Sequence, residues 1–571
     1  MCGIAGIIDF YSTEDKQPLL SQMAQSLRHR GPDANGFYCQ GAAGLAHTRL
    51  SIIDIAGGDQ PIHNEDRTIW IIFNGEIFNY PELRKALLEK GHRFYTKTDT
   101  EVIIHLYEEY GLNLFEHLNG QFAFALWDEK KEALLLGRDR VGIRPLFYSL
   151  KDKRIIFASE IKAIFSDTRV PRQIHPQHLS DIFTCWSTYD DQTCFIDIKQ
   201  VPPGHYALFS KKGLTINQYW ELPYGARTYE DRPVQDWADE LNELLIDATR
   251  IRLRADVPVG AYLSGGIDST FTSSIVKKHF NNKLCTFSVG FTDGQFDESS
   301  YQQTAVKHLN TDHKSIFCSY DDIGRIFPDV VYHAETPIIR TAPAPLMMLS
   351  QLVKDSNYKV VLTGEGADEI FAGYNIFKED KVRRFWAKNP DSELRPRLLE
   401  KLYPYIFSQG NARAIKFLKE FYKKGISATD SPVYSHMPRW SNTSTLRNFF
   451  SSDLLNQTSG IENFVERVSN ILPPDFMTWD ALSRAQFIEN KIFLSNYLLS
   501  SQGDRMAMAN SIEGRYPFLD HRVIEFATKI PPHIRMAGIN EKYILKKAAT
   551  GAVPSELIER PKQPYRAPIS Q

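Results

Sequence analysis

The chain has 571 residues, too many for one hydrophobic core, so at least two domains are expected. Apolar content of 42%, charged content of 24% and a net charge of −2 fit a water-soluble globular protein and give no basic field for nucleic acid or acidic membranes. No run approaches the roughly 18 apolar residues of a membrane span, the start MCGIAGIIDF lacks a secretory leader's basic flank, and six cysteines without a CxxC pair fit a reducing cytoplasm.

Cys2 follows the initiator methionine, whose removal would leave a free N-terminal cysteine. Its own α-amine, with a reference pKa of about 7.7–8.0, could then serve as general base for its thiol. The plainer alternative is a small buried residue opening a strand. Downstream stand the strings RHRGPD (Arg28–Asp33), HTRLS (His47–Ser51), NGEIFN (Asn74–Asn79) and TDTE (Thr98–Glu101). By residue type, Asn74-Gly75 after the apolar run TIWIIF reads as a hairpin turn. Strands are predicted over 121–127 and 133–138, and a hairpin over 205–219 around Lys211-Lys212-Gly213. Arg138 to Tyr148 and Phe157 to Lys162 read as shaping the domain and its junction. The polar stretch from Pro223 to Pro233 is the expected boundary between domains at 2–222 and 233–571.

These N-terminal segments, in register over the first hundred residues, resemble the class II glutamine amidotransferases. The resemblance implies the four-layer αββα sandwich of the N-terminal nucleophile hydrolases, with Cys2 as nucleophile. It implies an oxyanion held by the Asn74 amide and the Gly75 N–H. It also places Arg49 on the α-carboxylate of glutamine, where a guanidinium can fork, and Asp99, with Gly75 and Glu76, on the ammonium.

In the second half an amphipathic helix is predicted over 237–254. A short apolar strand then breaks into Leu263-Ser264-Gly265-Gly266, and a helix follows through Ile267-Asp268-Ser269. Glycines let backbone approach a ligand, and N–H groups at a helix start suit a phosphate. The lysine of a Walker-type loop is absent, and an acid, Asp268, stands there instead, as for Mg²⁺ beside phosphates. A second buried strand is read over 284–291. Val360-Val361-Leu362 and then Thr363-Gly364-Glu365-Gly366-Ala367-Asp368-Glu369 repeat the design of strand, glycine turn and acids. Alternating strands and helices indicate a doubly wound parallel sheet with ligands at its carboxyl ends. A chance acidic turn stays open for Asp368, as does a solvated helix position for Lys542. The basic stretch 377–424 reads as a solvated face.

SGGIDS resembles the pyrophosphate loop of the ATP pyrophosphatases, and GEGADE and the EKxxL segment at Glu541–Leu545 resemble asparagine synthetases. Together the halves resemble the glutamine-dependent asparagine synthetases over nearly the whole chain. The resemblance implies ATP as co-substrate, its phosphates on residues 263–269 with Gly364 and Glu365, and adenine on the backbone of Val289 and Gly290. It implies Mg²⁺ on Asp268 and Asp368, Glu335 near nucleotide and acyl group, and Lys542 on the α-phosphate. Ammonia released from glutamine at Cys2 would pass through a sealed passage to an acyl-adenylate of L-aspartate, giving asparagine, AMP and pyrophosphate. A homodimer is the family expectation, and the strings 504–509 and 514–520 are expected to be structural. PIIRTAPAP (Pro337–Pro345) departs from the more polar string expected there, so another carboxylate acceptor is the rival reading. A β-lactam synthetase-like cyclase would not need the glutaminase set, and a silent glutamine- and ATP-binding scaffold would not need both complete sites. The basic, proline-rich end from Arg560 to Pro568 is expected to lie over the synthetase site.

Overall fold

The structure is a computed structural model that describes residues 1–225, 228–280, 283–403, 412–560, 562 and 567. Its first part holds two six-stranded antiparallel sheets. One runs in the order 199–200, 147–151, 154–158, 3–9, 43–49, 34–40; the other 213–218, 205–210, 133–138, 120–128, 69–77, 62–63. The period of two along Gly120–Asp128 explains the layering. Ala123, Ala125 and Trp127 pack between the sheets, while Phe122, Phe124 and Leu126 face the helices outside. Tyr80–Glu89 and Glu101–Tyr110 cover that sheet, and Gln17–Ser26 and Ile161–Ile164 cover the other. This is the expected αββα sandwich.

Strands appear where the pattern placed them, at Gly120–Asp128 and Ala133–Arg138, and His205–Ser210 and Gly213–Gln218 form the expected hairpin. Asn74-Gly75 is not a turn. Both residues continue the strand Ile69–Ile77, opposite Ala123 and Phe122. Nine consecutive pairings with Gly120–Asp128 outweigh the local turn preference of Asn-Gly.

The second part carries a five-stranded parallel sheet in the order 312–318, 285–291, 259–262, 360–362, 513–515. The chain winds to one side of Val259–Tyr262 and then returns to the other. Loops 263–266 and 363–366 therefore leave neighbouring strands at the point where the winding reverses, the place where such sheets form a crevice. The predicted amphipathic helix is Val234–Arg252. The basic stretch 377–424 is not simply a solvated face: Lys378 and Arg383 are buried, and Arg383 donates to the carbonyls of Tyr422 and Tyr434. Part of that stretch, 404–411, lies outside the described residues.

The two parts meet through buried ion pairs. Asp504 accepts from Arg30 at 2.8 and 3.2 Å and from Arg144 at 3.1 Å. Arg515 reaches Glu76 at 2.7 Å, and Arg505 reaches Glu160 and Glu335 at 3.1 Å each. The strings 138–148, 157–162, 504–509 and 514–520 thus supply the junction.

Candidate functional site

In the sandwich, Cys2 immediately precedes the strand Gly3–Asp9 of one sheet and touches the other through Asn74, whose Oδ1 accepts the Cys2 N–H at 3.2 Å. The opposite end of that amide, Asn74 Nδ2, is buried without a hydrogen-bond partner among the described residues. Gly75 pairs with Phe122, which spends its N–H and its carbonyl on Asp139. Burial raises the Cys2 thiol pKa, while the Met1 amine nearby lowers it.

Asp99 accepts the Ile77 N–H at 2.8 Å, which ties it to the strand carrying Asn74, Gly75 and Glu76. Burial raises its pKa to about 7, with Glu513 adding to the rise against the Ile77 bond. Burial also pushes Glu76 well above the carboxylate range, despite Arg515. Arg49, at the end of strand Ala43–Arg49, donates to the carbonyls of Asp54 (2.6 Å) and Ile55 (3.1 Å) and to the Asp59 carboxylate (2.8 Å). The Asp59 side chain is 72% exposed, so the carboxylate on Arg49 lies at the surface.

In the second part, the loop after Val259–Tyr262 is knotted by small hydroxyls. Ser264 and Ser269 share a hydrogen bond at 3.1 Å, and Ser269 also takes the Ser264 N–H at 3.1 Å. Gly265 has φ +74°, and a Cβ there would lie 2.6 Å from the Gln302 nitrogen, so backbone, not side chain, faces the ligand side. The helix Ile267–His279 begins on this loop, with Asp268 in its first turn.

Lys542 stands between the two acids the sequence singled out. Its Nζ is 2.6 Å from Asp268 and 2.7 Å from Asp368, and Lys562 holds the other Asp368 oxygen at 2.7 Å. Asp268 Oδ1 is buried without a hydrogen-bond partner among the described residues. Burial raises the Asp268 pKa, opposed by Lys542, whereas at Asp368 the two lysines overcome burial and lower it to about 2. Lys542 is not a mid-helix residue as the sequence implied; it has φ 51° and precedes the helix Tyr543–Ala548.

A cavity of about 470 Å³ opens from these residues, within the range of small-molecule sites. Leu263, Ser264, Asp268, Ser269, Val289, Gly364, Glu365, Asp368 and Lys562 line the end beside the 263–269 loop. Its far end is walled by Trp186, Trp440, Thr443, Ile492 and Phe493, with Trp186 coming from the sandwich part. Burial raises Glu365 to about 7 and Glu369, beside Asp368, to about 8.

Glu335 does not join this wall. Its carboxylate accepts the N–H groups of Ile161 (2.7 Å) and Lys162 (2.6 Å) and pairs with Arg505. It sits at the junction because its left-handed backbone, φ 56°, caps the helix Tyr320–Ala334 and turns the acid toward the sandwich. Gly290 packs against Phe317, 2.8 Å from where its Cβ would be, and does not line the cavity.

Sequence reasoning missed several residues. Glu369, the last acid of GEGADE, accepts from Tyr374 at 2.5 Å, a partner that no local pattern shows. Gly373 was missed too: a Cβ there would lie 2.1 Å from both Asp368 Oδ1 and Lys542 Cε. The glycine beside an acidic turn was the available signal. Nothing local marks His436 or Arg439, which reach the cavity from distant elements, and Arg340 of the PIIRTAPAP string lines it as well. Of the C-terminal segment, Lys562 donates to Asp368; 561, 563–566 and 568–571 lie outside the described residues.

A sandwich with a cysteine at position 2 beside an amide donor left open among the described residues, joined to a phosphate-type loop on a parallel sheet, defines a glutamine amidotransferase fused to an ATP-using synthetase. The family profile described as Asparagine synthase matches residues 240–571, and that described as Glutamine amidotransferase domain matches residues 1–220. A glutamine-hydrolysing asparagine synthetase of Bacillus subtilis (strain 168) is 32% identical, over 100% of this chain and 87% of its own. An amidase of Gibberella zeae is 31% identical, over 100% of this chain and 89% of its own. Among solved structures, a glutamine phosphoribosylpyrophosphate amidotransferase from Bacillus subtilis aligns at TM-score 0.30 and 15% identity, covering 64% of this chain and 81% of that one. The chain belongs to the asparagine synthase family and is a glutamine-dependent, ATP-using ligase. Among the described residues no helix is long and apolar enough to cross a membrane.

Proposed function

We propose that the protein converts a carboxylate, L-aspartate in the first instance, to its amide with ammonia from glutamine, consuming ATP to AMP and pyrophosphate. Removal of Met1 turns the Cys2 amide nitrogen into an amine that takes the thiol proton. The Cys2 thiolate attacks the glutamine side-chain carbonyl, and Asn74 Nδ2 with the Gly75 N–H receives the oxyanion. The substrate α-carboxylate takes the place of Asp59 on Arg49, and Asp99, with Glu76 nearby, receives the ammonium. Ammonia leaves, and water releases glutamate from the thioester.

At the second site the acceptor carboxylate attacks the α-phosphorus of ATP, pyrophosphate leaves on the 263–269 loop, and ammonia displaces AMP from the acyl group. The unpartnered Asp268 Oδ1 and the neighbouring Asp368 fit an oxygen-ligated Mg²⁺, which would neutralise pyrophosphate charge when bound. Lys542, ammonium at neutral pH, supplies a fixed positive charge for the phosphates. Glu335 acts through the junction and has no direct part. Free cysteines throughout the described residues accord with work in the cytoplasm, and a homodimer is the expected assembly.

The observation that carries this reading is Lys542 set between Asp268 and Asp368 at the phosphate-type loop. A second reading keeps the reaction and changes the acceptor, on the strength of the aromatic far end of the cavity. Pyrophosphate release from MgATP and glutamine, with L-aspartate against a panel of larger carboxylates, tests both. Aspartate-dependent release with asparagine formed supports the first; release driven only by a larger acid selects the second. Release with no acceptor in the panel would sink both.

A further inference from the structure

Far from either reacting centre in sequence role, the outer helices of the sandwich gather two histidines and two glutamates. Glu65 lies in the turn before strand Ile69–Ile77, His92 follows helix Tyr80–Glu89, and His105 and Glu108 share one face of helix Glu101–Tyr110. One side-chain atom from each falls within 4.8 Å of all the others. His105 Nδ1 is 2.9 Å from Glu108 Oε2 and 3.9 Å from Glu65 Oε2, and His92 Nδ1 is 3.5 Å from Glu108 Oε2. Tetrahedral ligands about 2.1 Å from one ion stand about 3.4 Å from each other. The observed separations bracket that value.

Three of the four also have their second polar atom engaged outside the cluster, while His105 Nε2 has no hydrogen-bond partner among the described residues. Glu65 Oε1 accepts the Arg93 N–H at 2.9 Å, and Glu108 Oε1 accepts from Asn64 Nδ2 at 2.9 Å. His92 Nε2 lies 3.0 Å from Glu109, and His105 Nε2, in a fully buried ring, faces Glu101 at a longer 3.7 Å. His92, held by a carboxylate on its outer nitrogen, is oriented as metal-ligating histidines usually are, whereas His105 Nδ1 is hydrogen-bonded within the cluster to Glu108. Charge points the same way. Glu65, Glu101, Glu108 and Glu109 share one lysine among the ion pairs of the described residues, Lys90 on Glu109 at 2.7 Å.

We infer that Glu65, His92, His105 and Glu108 form a site for a divalent transition-metal ion of the Zn²⁺ class, bound through two imidazole nitrogens and two carboxylates. The ion would be structural. It would pin residues 92–101, whose Tyr95 and Thr96 N–H groups already rest on Glu101 at 2.9 and 2.8 Å, and which carry Asp99. The competing occupant is a proton on His105 shared between Glu101 and Glu108, which would leave no room for a metal.

Zn²⁺ titration of the full chain against a chromophoric chelator decides between them, with accessible thiols capped and excess Mg²⁺ present to hold the Asp268–Asp368 site. One tightly bound Zn²⁺ per chain is expected, weakened at least about tenfold by His92→Gln, and likewise by Glu65→Gln. Both positions reach the surface, so neither variant strips the core. Zn²⁺ should also raise the melting temperature of the parent chain and not of His92→Gln. No competition with the chelator, or equal binding by parent and His92→Gln, would overturn the inference.

Discussion

Asn74 divides its amide between two tasks: Oδ1 holds the Cys2 nitrogen, and Nδ2 is kept buried with nothing to donate to among the described residues. A buried donor left open costs roughly 1–3 kcal/mol, a cost that makes sense where a transient oxyanion will use it. Asn74→Asp keeps an acceptor for the Cys2 nitrogen and replaces the donor by a carboxylate oxygen, which cannot donate and repels an oxyanion. Its glutamine hydrolysis should fall about 10²–10³-fold in kcat, with ammonia-dependent pyrophosphate release unchanged. Equal hydrolysis by the two proteins would remove Asn74 from the oxyanion site. Asp99, receiving the glutamine ammonium as proposed, gives the pH dependence. Burial raises its pKa to about 7, so it is a carboxylate above that pH and neutral below it. An ammonium is bound by the charged form, so the KM for glutamine should be level above pH 7 and climb about tenfold per unit as pH drops below it. Asp99→Asn should show a high KM with no such slope; a parallel slope in the variant would assign the titration elsewhere.

On the scale of elements, the synthetase site is a meeting of loops, and its fit rests on small residues. Strand Val360–Leu362, the GEGADE turn and the glycine at 373 bring Asp368 under Lys542, which arrives from a turn before Tyr543–Ala548. Gly373 leaves no room for a methyl group, yet what it would strike are the ends of two side chains, which can swing away. Gly373→Ala should therefore fold while displacing Lys542 and Asp368. Pyrophosphate release should drop on the order of 10²-fold while glutamine hydrolysis stays intact. An unaltered ligase rate would show that Lys542 need not sit where it does. The loops themselves were legible in the sequence. SGGIDS and GEGADE each follow an apolar strand, and glycine, acid and helix start carry their chemistry locally. Asn74-Gly75 was misread for the opposite reason, since strand pairing along nine residues is a tertiary fact. Lys542 and Lys562 converge on one carboxylate from separate segments, and no local pattern signals that.

For the whole molecule, the two halves were legible as separate folds and their junction was not. Arg30, Arg144, Glu160, Glu335 and Asp504 look like ordinary charged residues in family strings; only the docked structure shows them buried against one another. Asp504 is the centre of this contact, accepting from two arginines of the sandwich. Burial alone would raise its pKa, but Arg30 and Arg144 outweigh burial and lower it. Its stabilising contribution is accordingly present above the ordinary carboxylate pKa of about 3.9 and lost as pH falls through the lower folded value. At neutral pH, Asp504→Ala leaves buried guanidinium charge without its partner, a change that costs about 3–5 kcal/mol. Urea unfolding followed by circular dichroism should show that loss. On the proposed function ammonia made at Cys2 has to cross this junction to the adenylate, so the same variant is expected to form more glutamate per pyrophosphate than the parent chain. A stable variant with the parent ratio would mean that the remaining pairs, Arg515 with Glu76 and Arg505 with Glu160, hold the halves in register without Asp504.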